Sequence, residues 1–253
     1  MTGTKLPVLQ TALASWRDGL TALKSMPVIA AVIFIVMVAD TTIDDALRLA
    51  ATPETVVTLQ LVRLVISVLL LSVILAPAAI AINRYVLLGE DTQGYPLDPS
   101  SRRLRLFCAY SVLLNILILL PMMSAEVTMD LTMAVVVIVL ALIAVAALTS
   151  TWILFPAIAV DAPGANFRNA VKDTHFFQAL AISIVTFLPV LAAGIAIAIQ
   201  WHDAPGAFGL EWMLYVICIA AVSGFAFAVF CAMSSHLYRA WAVRLLQPTG
   251  SVI

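Results

Sequence analysis

Charge is scarce in this chain. Thirteen basic and fourteen acidic side chains serve 253 residues, while 63% of the residues are hydrophobic and the mean hydropathy is +1.09. That many apolar side chains cannot be hidden inside one water-soluble core of this length, so lipid must solvate much of the chain. Cysteine and histidine are rarer still. Cys108, Cys218 and Cys231 all lie within apolar runs, without a CxxC pair or a histidine at ligand spacing, which excludes a disulfide framework and a zinc site of ordinary pattern. They read as buried free thiols. His175, His202 and His236 fall in different segments on opposite sides of the layer set out below, so they cannot share one metal ion. No H-E-x-x-H, phosphate-cradling glycine loop or nucleophile beside a base is present. Ser223-Gly224 has no histidine at its depth. The expectation is a protein that is not an enzyme and binds no cofactor. A net charge of -1 gives no support to nucleic-acid binding. The N-terminus shows no cleavable signal-type apolar region, so the first span is expected to serve as its own insertion signal.

The few charges are strongly sorted. A helix needs about 20 apolar residues to cross the hydrocarbon, and six segments qualify, near 26–46, 61–83, 105–123, 131–155, 179–200 and 212–234. Eleven of the thirteen Lys and Arg residues fall in alternate gaps: Lys5, Arg17, Lys24, Arg84, Arg102, Arg103, Arg105, Arg168, Lys172, Arg239 and Arg244. The opposite gaps hold Asp40, Asp44, Asp45, Glu54, Glu126, Asp130, Asp203 and Glu211, with only Arg48 among them. The positive-inside rule then places the basic face and both termini in the cytoplasm. Trp152 and Trp241 fall at inner ends, and Trp201 and Trp212 bracket the outer loop between spans five and six, as an aromatic belt requires.

Two amphipathic stretches border the inner face. Val8, Leu9, Ala12, Trp16, Leu20 and Leu23 recur at near-helical spacing before span one, and Phe167, Val171, Phe176 and Phe177 alternate with Arg168, Lys172 and Asp173 before span five. Both read as interfacial helices. They share a pattern, residues 15–20 against 166–171, and a second echo sets Ile74-Leu75-Ala76-Pro77 beside Ile153-Leu154-Phe155-Pro156. Each proline lacks an N–H and loosens a helical turn, letting the chain bend from crossing the membrane to running along it. The predicted fold is an all-α, polytopic helical membrane protein, one domain over 1–253, with six spans in three hairpins plus two interfacial helices. Gly89, Gly94, Pro96 and Pro99 exclude a regular helix from the longest inner loop.

The inner exit of span two, Asn83-Arg84-Tyr85-Val86-Leu87-Leu88-Gly89-Glu90, resembles an R-x-x-L-L-G-E element of a group of uncharacterised six-span bacterial inner-membrane proteins. Span four, followed by Pro156, Asp161 and the basic amphipathic stretch, is similar to the same group. More distantly, the layout resembles the helical membrane domain attached to some glycerophosphodiester phosphodiesterases. The resemblance implies a fold and a compartment, the bacterial inner membrane. It carries no activity, because the soluble phosphodiesterase domain has no counterpart in these residues.

Candidate sites follow from the remaining polar residues. Asp40 and Arg63 fall at similar depth in an antiparallel pair and are candidates for an ion pair joining spans one and two, although Arg63 can also snorkel to the interface. Asp40, Asp44, Asp45 and Glu54 suit a hard cation, but Asp44 precedes Arg48 by four residues and reads better as part of a solvated helical extension. Ala220, Gly224, Ala228 and Ala232 form a small-residue stripe for close helix packing, answered on span five by Ala192, Gly194, Ala196 and Ala198. Arg102, Arg103, Arg105, Arg168 and Lys172 are candidates for contacts with anionic head groups or an acidic partner. Two functions remain open. One is an accessory, assembly or envelope-maintenance factor acting through membrane lipids, a membrane complex or self-association. The other is a small transporter or channel for an uncharged or weakly polar solute, with a path near Asn115, Pro189 and Ser223.

Overall fold

A computed structural model describes residues 6–52, 54–124, 131–201 and 209–247. Most of the described residues are helical, with no strand among them. Among the described residues, four helical stretches are both long and apolar enough to cross a membrane: Pro27–Ala50, Val56–Leu88, Phe176–Gln200 and Leu210–Trp241. Lys5, Glu126, Asp130, His202 and Asp203 lie outside the described residues.

Helix α1 (Val8–Ser25) turns into α2 (Pro27–Ala50) through Met26 alone, which is fully buried at the bend. Pro27 opens α2 where an N–H would have no helical partner. After a short link, α3 (Val56–Leu69) passes into a π-helical turn, Leu70–Ile74, and then into α4 (Ala76–Leu88) with Pro77 in its first turn. The second proline acts alike. Helix α6 (Leu131–Thr151) ends before α7 (Leu154–Ala159), which contains Pro156. The junction residues Leu75 and Ile153 share a backbone conformation, φ −83°, ψ −9° and φ −76°, ψ −9°, and both are fully buried. The proline echo therefore marks two equivalent breaks, and α4 and α7 pack against each other.

The other echo has no structural counterpart. Asn166 is the N-cap of α8 (Phe167–Asp173), its side chain accepting from the Asn169 N–H at 2.9 Å. Ser15, its supposed equivalent, sits inside α1 with its hydroxyl donating to the Thr11 carbonyl at 2.8 Å. The chain completes with α5 (Arg102–Ser124), α9 (Phe176–Gln200) and α10 (Leu210–Trp241). Between α4 and α5, Gly89 closes α4 at φ 72°, a conformation a side chain disfavours, and two Ser100 donors hold the Asp98 carboxyl below its usual range.

The packing of α1 rests on its small residues. Its buried face is not the large apolar stripe but Thr11, Ala12, Ser15, Gly19 and Ala22, while Leu9, Leu13 and Leu20 remain exposed. Small residues let α1 lie directly on α10: a Cβ on Gly19 would stand 3.1 Å from the Val229 Cα. Trp16 reaches inward, donating from Nε1 to the Thr186 carbonyl at 3.0 Å and meeting Phe225 edge-to-face at 5.2 Å, and Val8 and Leu23 also pack against the core. The α10 stripe Ala220, Gly224, Ala228 and Ala232 is buried throughout, with Ala228 close to Gly19 of α1 and Gly224 close to α2, while α10 also packs on α9. A Cβ on Gly224 would meet Ile33 of α2 at 3.1 Å. On α9, Ala192, Ala196 and Ala198 are exposed and Gly194 faces open space, so the answering surface expected there does not form. Helix α9 buries only its first half, through Ala179, Ile182, Ser183 and Thr186.

Most arginines at the basic end are tied down within the fold. Arg84 donates to the Ala159 carbonyl at the end of α7 at 3.1 Å and pairs with Glu90. Arg239 donates to the Val86 and Leu87 carbonyls at the end of α4, and Arg244 to the Lys172 carbonyl of α8 at 3.0 Å. Each guanidinium thus answers the carbonyls that a neighbouring helix leaves unpaired at its C-terminus. Buried Asp173 accepts from the backbone N–H of Arg244 at 2.6 Å and of Leu245 at 3.2 Å, clipping the chain after α10 under α8. Trp152 and Trp241 are buried rather than belt residues, set edge-to-face with Phe230 at 5.9 Å and His175 at 5.2 Å.

Candidate functional site

A cavity of about 490 Å³ lies within the bundle, bordered by α2, the π-turn, α4, α5, α6, α7, α9 and α10. Its walls are mainly apolar, with Phe107, Phe155, Phe187, Phe227 and Phe230 contributing aromatic surface. The breaks at Leu75 and Ile153 help shape it: Leu71 lies in the π-turn before one, and Ala79, Asn83 and Phe155 follow the two.

Polar side chains border the cavity in small groups. Asn115 Nδ2 donates to the Ser72 Oγ at 2.9 Å and to the Ser111 carbonyl at 3.0 Å, joining α5 to the π-turn. Asn83, 1% exposed, donates to the Ala79 carbonyl at 2.8 Å and accepts from the Ser235 Oγ at 2.8 Å. Ser234 lies beside it and donates to the Cys231 carbonyl at 2.9 Å. Buried Asn83 thus bonds within the chain through both ends of its amide, and half-buried Asn115 through its Nδ2. Ser223 of α10 and Asp40 of α2 complete the polar lining.

The structure brings Asn115 and Ser223, separate in sequence, onto one cavity wall, but Pro189 is exposed on α9 and takes no part in the lining. Asn83 was absent from the sequence-derived path. Its signal was an amide at the end of an apolar run, four residues after the Ala79 carbonyl it bonds.

Asp40 and Arg63 belong to two rungs of one antiparallel register. Arg63 forms its ion pair with Asp44, and four residues earlier on α2 and four later on α3 Asp40 accepts from the Ser67 Oγ at 2.8 Å. The cation is therefore one helical turn from the partner expected, with Asp40 still within its electrostatic reach. Asp44 also bridges Arg48 at 3.2 Å, and Asp45 accepts from Trp212 Nε1 at 3.0 Å. The acidic group at this end is thus engaged in holding α2, α3 and α10 together, and no set of metal-ligating side chains occurs among the described residues. His236 Nε2 lies 3.0 Å from the Asp18 carboxylate, at the contact between α1 and α10.

Of the basic residues expected to meet head groups or a partner, Arg103 pairs with Asp161 beyond α7. Arg102, Arg105, Arg168 and Lys172 are exposed, with Phe167 and Val171 also exposed on α8 and Phe177 just beyond it. No protein-family model matches the chain, and no curated protein or solved structure gives a significant match.

Proposed function

We propose that this is a six-span bacterial inner-membrane protein that binds a small, largely apolar molecule inside its helical bundle and moves it between the bundle and its surroundings. The observation that carries this reading is the cavity, whose volume of about 490 Å³ falls in the roughly 300–1,000 Å³ range of small-molecule sites. Mainly apolar walls with a few placed polar groups suit a ligand of the same make-up.

Six crossings are consistent with the helix lengths. Beyond the four long apolar stretches, α5 has 23 residues and α6 has 21. At about 1.5 Å per residue each is long enough for the roughly 30 Å hydrocarbon layer. In that topology three hairpins return both ends to the basic face, and the excess of Lys and Arg orients it to the cytoplasm.

A variant lacking Cys108, Cys218 and Cys231 and carrying either Asn115→Cys or Ser223→Cys tests the cavity. Both single cysteines should react with a small, membrane-impermeant thiol reagent, while a cysteine replacing exposed Ile184 on α9 should not. Failure of both cavity cysteines to react under every condition rejects a water-accessible path.

A second reading has its own observation. The exposed Arg102, Arg105, Arg168 and Lys172, with the exposed apolar residues of α8, form a surface suited to anionic head groups or an acidic membrane partner, as an accessory or assembly factor requires. Charge reversal at Arg102 and Arg105 should then abolish co-purification of that partner while leaving insertion intact. Unchanged co-purification removes this contact site.

A further inference from the structure

We propose that the cavity takes a lipophilic cation, an amine or onium group on an apolar body, with the Asp40 carboxylate as its counter-ion. This rests on the reading of the cavity as a binding site. Asp40 lies about 20 Å along α2 from Pro27 at the usual helical rise, half-buried where the apolar stretch of that helix ends. A carboxylate at such a position is costly and points to a pairing role.

The neighbouring carboxylates are already spoken for: Asp44 bridges Arg48 and Arg63, and Asp45 accepts from Trp212. Asp40 receives the Ser67 hydroxyl, has Arg63 within electrostatic reach rather than in an ion pair, and borders the cavity, so its carboxyl group is presented to whatever enters. Phe187, Phe227 and Phe230 also border it, and ring faces attract cations as well as supplying apolar contact.

The alternatives fit less well. An anionic ligand would meet the Asp40 carboxylate. A polyol would need many hydrogen-bond partners, yet the Asn83 amide and the Asn115 Nδ2 are already bonded within the chain. A body with a single positive charge and little other polarity meets what remains.

Purified full-length protein in nanodiscs of uncharged lipid separates the possibilities. Methyltriphenylphosphonium and the neutral triphenylphosphine oxide share an aromatic body and differ in charge. The phosphonium should bind at one per chain, and Asp40→Asn should weaken it about tenfold or more while Asp40→Glu retains it. The oxide should bind more weakly and be indifferent to Asp40→Asn. Should Asp40→Asn fail to fold, Phe227→Ala should weaken the phosphonium more than the oxide. Equal affinity for the two compounds, unchanged by these substitutions, overturns the cationic ligand and leaves the cavity reading standing. Absence of phosphonium binding in a protein whose positions 115 and 223 still accept thiol reagent also rejects the cation alone. No binding together with no labelling rejects both.

Discussion

Gly19 and Gly224 both sit where helices approach closely, but the atoms they face differ, so their alanine variants should move stability in different directions. At Gly224 an added Cβ would meet the Ile33 Cγ2 at 3.1 Å and the Met37 Cγ at 4.0 Å, the ends of flexible side chains. A small rotamer adjustment relieves that contact. Replacing a mid-helix glycine with alanine gains about 1 kcal/mol of backbone entropy, so Gly224→Ala should be neutral or slightly stabilising. At Gly19 the same Cβ would meet the Val229 N and Cα at 3.1 Å and the Ala228 carbonyl carbon at 3.2 Å. Backbone cannot step aside, and α1 must lift from α10, disturbing the Trp16 bond to Thr186 and the Asp18 contact with His236. Overpacking of this kind costs about 1–3 kcal/mol, leaving a net loss of up to about 2 kcal/mol after the helix gain. A chain of this size shifts by about 2–4 °C per kcal/mol, so Gly19→Ala should melt several degrees below Gly224→Ala in detergent. Equal melting temperatures, or the reverse order, would refute the packing of α1 on α10.

Three more perturbations test other contacts. Asp173→Ala leaves two backbone N–H groups and Arg244 without their acceptor, at about 1–3 kcal/mol for each buried orphan; hydrogen exchange should show lost protection at Arg244 and Leu245, and unchanged protection would remove the clip. Gly164→Ala places a Cβ against the Arg244 carbonyl and 2.6 Å from that of Gln247, so it should free the same segment without touching Asp173; protection equal to wild type would contradict this. Arg63→Gln should lower thermal stability by about 1–3 kcal/mol, whereas Asp40→Asn keeps an acceptor for Ser67 and should cost less than about 1 kcal/mol; the reverse order in thermal melts would restore Asp40 as the partner of Arg63.

The helices were legible because their apolar runs are long, and the two breaks because proline cannot donate to the carbonyl four residues back. Asn83 and the π-turn were not, since a single amide and a shift of hydrogen-bond register leave no periodic trace. The Arg63 partner was missed by one turn: depth along two helices is fixed by where their connection reverses, and only the register of Asp44 with Arg63 and Asp40 with Ser67 defines that. The packing face of α1 was not legible, because periodicity picks out its leucines while the face that packs consists of Ala12, Ser15, Gly19 and Ala22, whose virtue is small size. The basic residues were correctly seen to cluster, but charge alone does not distinguish an arginine that faces head groups from Arg84, Arg239 and Arg244, which bond to the carbonyl ends of neighbouring helices.

The central claim is that the bundle interior binds a small molecule. Intact-mass measurement of the protein released from mild detergent tests it most directly, with wild type compared against Ala226→Trp, whose indole would fill the cavity. A discrete adduct of small-molecule mass on wild type, lost from a folded Ala226→Trp variant, is the predicted result. Absence of any adduct on wild type, or the same adduct on both proteins, would contradict it.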